Sequence, residues 1–130
     1  MRFISLWIDL ETIKRLITHD LKSLPLNLRQ GNVLQLSASV FRALGLFRQN
    51  EEALRTVERL RRLRNQIVHG IESPSGDYLN ENIKLLENLF LNLKNQSSEE
   101  VREAIQSSDK VQEIIERVTE NANQSNEQEN

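Results

Sequence analysis

Leu60-Arg61-Arg62-Leu63-Arg64-Asn65-Gln66-Ile67-Val68-His69-Gly70 is the stretch on which the reading of this chain turns. Leu60, Leu63, Ile67 and Val68 recur at three- and four-residue spacing, so one face of a helix is apolar. Gly70 sits where that helix stops, because glycine enters the left-handed region without a Cβ penalty. His69 therefore falls in the last turn, beside carbonyls that have no partner within the helix.

Working outward, Asn50 is a good N-cap. Glu51 and Glu52 follow it in a first turn where carboxylates suit the helix dipole. The spacing predicts one helix from Asn50 to His69, with Leu54, Val57, Leu60, Leu63 and Ile67 as its seam. Arg55, Arg59, Arg61, Arg62 and Arg64 line the other faces. Two readings of them stand side by side. One is a solvated face with Glu51–Arg55 and Glu58–Arg62 pairs at i,i+4. The other is an electrostatic footprint for phosphate.

Before this helix, residues 3–22 read as a first helix with a wide apolar face, and Trp7 is assigned to the core. His19 near its end reads as solvated. Leu24-Pro25-Leu26 interrupts the pattern, since proline disfavours helix at the residue before it. A second helix is expected from about Val33 to Leu44, stopped by Gly45. After His69, residues 71–77 read as a loop placed to cover or shape a site there. A fourth helix from about Tyr78 to Lys94 carries Leu79, Ile83, Leu86, Phe90 and Leu93 in a near-heptad stripe. Ser97 with Glu100 has the form of a capping box for a fifth helix, with a break expected at Ser107-Ser108-Asp109. Residues 121–130 are too polar to bury a face.

The expected fold is therefore all-α: an antiparallel up-and-down four-helix bundle over residues 1–96. A C-terminal helical appendage follows over 97–120, and a disordered tail over 121–130. Composition agrees with one domain, since 130 residues carry 38% hydrophobic and 28% charged side chains. No cysteine is present, so disulfides and thiolate metal sites are excluded. Two histidines far apart in sequence make a zinc site unexpected, and no metal or cofactor is assigned. No run of about 18 apolar residues exists to span a membrane. Residues 3–10 are interrupted by Asp9 and followed by no small-residue cleavage site, so a secretory signal is not expected. A cytoplasmic setting is the expectation. The net charge of −2 hides a split: residues 97–130 hold nine acids and three bases, leaving residues 1–96 at +4.

Arg64-Asn65-x3-His69 resembles the Arg-x4-6-His motif of the HEPN superfamily, in which Asn or another polar residue often follows the Arg. The surrounding Leu-Arg-Arg-Leu-Arg-Asn-Gln-Ile-Val-His-Gly string is similar to many members. Leu6-Trp7-Ile8-Asp9-Leu10-Glu11 also resembles the first helix of some of them. The resemblance implies a metal-independent endoribonuclease that acts on single-stranded RNA as a homodimer. The third and fourth helices would pair, and a composite site would form at the interface. There the ribose 2′-OH attacks the adjacent phosphate, giving a 2′,3′-cyclic phosphate and a 5′-OH. Arg64, Asn65 and His69 become the candidate catalytic residues, and Arg59, Arg61 and Arg62 the RNA-positioning ones. Toxin–antitoxin or antiviral defence, with an antitoxin or a larger complex as partner, follows from the resemblance alone. In the HepT toxins a modifiable Tyr stands two places after the His; here that place is Ile71. The acidic tail is an alternative candidate for covering the basic face.

Geometry sets a condition on this chemistry. Asn65 and His69 lie about 40° apart around a regular helix, whereas Arg64 and His69 diverge by roughly 140°. Arg64 and His69 can share a phosphate only if the helix ends or distorts near His69, which Gly70 allows, or if a second subunit completes the site. The alternative reading keeps the fold without the chemistry. It is a non-catalytic nucleic-acid- or nucleotide-binding module, or a protein-interaction bundle, in which Asn65 and His69 brace a helix end.

Overall fold

A computed structural model of the chain describes residues 1–21, 36–70 and 74–129, with side chains through Gln124. Every regular element among the described residues is a helix. The Leu24-Pro25-Leu26 break, the proposed start of the second helix at Val33, and Ile71 lie outside the described residues.

α1 (Arg2–Asp20) buries Phe3, Leu6, Trp7, Leu10, Ile13 and Ile17 along one stripe, as its periodicity requires. Lys14 and Thr18 share that stripe, and the Thr18 hydroxyl donates to the Lys14 carbonyl at 2.6 Å. Burial pushes the Lys14 ammonium below the ordinary lysine range, partly countered by Glu11. α2 (Ala38–Leu44) is shorter than expected at its described end. It opens on Ser37, whose Oγ accepts from the Val40 N–H, and closes at Gly45 with φ +81°. α3 (Glu51–His69) has the expected bounds. Asn50 caps it by accepting from the Ala53 N–H, and Gly70 ends it at φ +64°.

α4 (Gly76–Asn92) starts two residues early because Ser75 Oγ accepts from the Tyr78 N–H. α5 (Glu99–Ser107) is capped by Ser98 rather than by Ser97. The displacement has a cause: Ser97 Oγ is turned away to donate to the Arg48 carbonyl. Ser108 is extended and caps the Val111 N–H, so the expected break there separates α5 from α6 (Asp109–Glu129).

α4 is the hub of the packing. It contacts α1, α6 and α3; α6 also lies on α1 and α5, and α2 lies on α3. Cross-helix pairs fix the register. Arg2 meets Glu87 at 2.7 Å, and Arg117 of α6 meets Asp9 of α1 at 2.9 Å. The core does not end at residue 96. Val101, Ile105, Val111, Ile114, Ile115 and Val118 are all buried in the same cluster as Phe3, Leu60 and Phe90. Ala122 is buried too, and the helical backbone continues to Glu129 across the stretch expected to be a tail. A helix satisfies its own backbone polar groups, so polar side chains do not by themselves end it. The acids of α6 ride on a helix packed against α1, α4 and α5.

The α2–α3 connection is tightly specified. Phe47 and Gln49 both take positive φ, +56° and +65°. The Phe47 N–H donates to Gln96 Oε1 at 2.8 Å, its ring packs against Phe41, and Gln96 is itself buried. Among the described residues no helix is long and apolar enough to cross a membrane.

Candidate functional site

The exit of α3 is set by its sequence. Leu60 and Leu63 hold the helix on the core, and the next seam residue, Ile67, is only half-buried. Val68 lies on the core-facing side of the helix by its angle, close to Arg61 and Arg64 in rotation. Even so, it is 54% exposed, so among the described residues this side of the helix end is left uncovered. Gly70 then turns the chain, its N–H donating to the Ile67 carbonyl at 3.2 Å.

Arg64 Nη1 donates to Asn65 Oδ1 at 3.0 Å, and both residues are half-buried. His69 is exposed in the last turn. The helix stays regular through His69, and the left-handed residue is Gly70. Helix distortion therefore does not bring Arg64 round to His69. One chain presents the Arg64–Asn65 pair on one side and His69 on the next, with only Asn65 near it in rotation.

The arginines divide into two kinds. Arg61 Nε and Nη2 both donate to Glu58 Oε2, at 3.1 and 3.0 Å. Arg59 Nε donates to Asn82 Oδ1 at 3.1 Å, and its Nη2 to Glu81 Oε1 at 3.3 Å. Its guanidinium carbon lies 5.7 Å from the centre of the Tyr78 ring. Arg59 thus bridges α3 and α4, and Arg61 pairs within α3. Arg62 and Arg55 are exposed on the outer face. The expected i,i+4 pairs are replaced. Glu51 makes a two-pronged contact with Arg42 of α2, at 2.9 and 3.2 Å, instead of pairing with Arg55. Glu58 takes Arg61 and also accepts the Ala38 N–H at 3.0 Å, instead of pairing with Arg62. Its bond from Arg61, then that from Ala38, hold the Glu58 carboxyl below the ordinary carboxylate range. A tertiary donor from α2 takes Glu51 from Arg55, whereas Glu58 is held by an i,i+3 partner on its own helix together with the Ala38 N–H of α2.

Asn82 and Tyr78 were not singled out by the spacing argument. Asn82 is fully buried and its Nδ2 donates to the Tyr78 carbonyl at 2.8 Å, while its oxygen serves Arg59. The signal was present: an amide between Leu79 and Leu86 in an otherwise apolar stripe has to find partners inside. At the far end of α1, His19 is exposed, with Nδ1 3.4 Å from Asp20 Oδ1. It belongs to an open groove shared with Glu100 and Glu103, away from α3.

No family model, curated protein or solved structure matches the chain.

Proposed function

We propose that the chain is a metal-independent endoribonuclease of the HEPN type, acting on single-stranded RNA as a homodimer. The observation that carries the reading is the overhanging exit of α3. An exposed His69 and an exposed Val68 stand one turn beyond a half-buried Arg64–Asn65 pair, at an end that the described residues leave uncovered. A second copy docked over Val68 supplies what one chain lacks, because Arg64 of one protomer then faces His69 of the other. The fold expectation belongs to the same proposal. Residues 1–96 form an antiparallel up-and-down four-helix unit, with α5 and α6 laid on its α1–α4 side.

In this reading His69 is the proton-transfer group. One imidazole takes the proton of the ribose 2′-OH as its oxygen bonds to phosphorus. As the P–O5′ bond breaks, a proton is given to the leaving oxygen. Arg64 holds the phosphate by two N–H groups and stabilises the charge that grows there. Asn65, held by Arg64, sets the position of that guanidinium and of the neighbouring His69. Arg62 supplies a salt-sensitive phosphate contact. A cytoplasmic toxin or defence role, with an antitoxin as partner, belongs to the same proposal.

A second reading draws on the pairing of Arg59 and Arg61. With two arginines committed to carboxylates, the basic face is weaker than the sequence implies, which favours a binding or protein-interaction module without catalysis. Labelled single-stranded RNA incubated in EDTA with the wild type and with His69→Ala separates the two. Cleavage by the wild type alone, leaving cyclic-phosphate ends, supports the nuclease. RNA bound equally by both and cut by neither supports the module.

A further inference from the structure

Arg59, Arg62, Gln66 and His69 are all exposed and fall within about 80° of one another around α3. They form one outward strip roughly 15 Å long, running from the helix exit back toward its middle. At the Arg59 end the strip is completed by another helix. Tyr78, in the first turn of α4, is 40% exposed, and the Arg59 guanidinium lies 5.7 Å from its ring centre. α3 and α4 run antiparallel, so Tyr78 lies roughly 6 Å closer to the level of His69 than Asn82 does.

The pair is built rather than incidental. Asn82, buried completely, bonds to Arg59 with its oxygen and to the Tyr78 backbone carbonyl with its amide, joining the guanidinium to the turn that carries the ring. Glu81 holds the other side of the guanidinium, and the Ser75 cap fixes the turn that carries the ring. An exposed aromatic with a planar cation over its ring, the cation bonded on two sides, matches the surface on which unpaired nucleobases stack. A guanidinium already bonded to a carboxylate and an amide is poorly placed to take a phosphate but keeps its π-face.

We infer that Tyr78 and Arg59 form a nucleobase-stacking platform for single-stranded RNA, a few nucleotides from the bond presented to His69. This rests on the ribonuclease reading and adds to it a base subsite that is tolerant of base identity, since every base has a π-face. Arg62 and Gln66 line the path between the platform and His69. The RNA lies lengthwise along α3, and the Val68 side of the helix is left to the second protomer.

The test uses the full chain carrying His69→Ala, which binds without cutting, and a short single-stranded RNA containing one 2-aminopurine. Stacking predicts quenching of that fluorophore on binding. Adding Tyr78→Leu should abolish the quenching and weaken binding about tenfold, while Tyr78→Phe keeps both. A scan that replaces one base at a time by an abasic residue, with Tyr78 intact, should show one position costing about as much as Tyr78→Leu. A flat abasic profile, or unchanged quenching and affinity in Tyr78→Leu, overturns the platform. Cleavage in EDTA by the otherwise unaltered protein is measured alongside. If it cuts RNA while the platform tests fail, only the platform falls. If it neither binds nor cuts RNA, both proposals fall.

Discussion

Gly70 shows what a single position costs. Its φ of +64° is a region that side-chain-bearing residues enter reluctantly, yet among the described residues nothing lies within 4 Å of where a Cβ would stand. Gly70→Ala is therefore penalised by backbone strain alone, with no clash. We expect a loss of about 1 kcal/mol in urea unfolding, and a smaller loss for Gly70→Asn. Of the candidate site, the sequence made legible what depends on helical angle and end chemistry: the exposed His69, the adjacency of Asn65, and the separation of Arg64 from His69. The fate of Arg59 was not legible, because Asn82 and Glu81 of a neighbouring helix decide it, whereas the Glu58–Arg61 pair has a spacing that a helix allows. Asn82→Ala tests the link described above. Removing a buried amide with two partners should cost about 1–3 kcal/mol by denaturant midpoint.

At the level of elements, α3 could be read to the residue because its cap, its seam and its stop agree, each for a separate reason. α5 could not. Ser97 and Ser98 are equally good caps, and the choice is made by the Arg48 carbonyl, 49 residues away in the chain. The α2–α3 junction carries a pH signature of the same tertiary origin. The Glu58 carboxyl is held below its ordinary range by Arg61 and the Ala38 N–H. A depressed folded-state pKa contributes stability at pH values above the unfolded value. That contribution is lost as pH falls through the folded one. Glu58→Gln should therefore lower stability at pH 7 and flatten the pH dependence of urea unfolding below about 4.5, the ordinary value for this group. Identical slopes in wild type and variant would refute the assignment.

For the whole molecule, the one continuous core means that residues after 96 are structural. Val101, Ile105, Val111, Ile114, Ile115 and Val118 close the α1–α4 face. A chain ending at residue 96 should lose its cooperative urea transition and bind a hydrophobic dye, whereas one ending at Gln124 should unfold as the full chain does. The apolar residues of 101–118 lie in the same buried cluster as those of 1–96. The apolar pattern of 101–118 is sparse, and a sparse stripe looks optional until the partner helices it covers are known.

The Phe47–Gln96 contact sets an order of events on the ribosome. Two residues between α2 and α3 sit in left-handed backbone, one of them a bulky aromatic, and the amide that secures the turn is supplied 49 residues later. When α3 leaves the exit tunnel its own caps are already in hand. The turn before it is not, because the Gln96 side chain is still inside or not yet made. A nascent chain that ends before Gln96 lacks the acceptor for the Phe47 N–H, so the turn between α2 and α3 gains its securing bond only after Gln96 has been made and has left the tunnel.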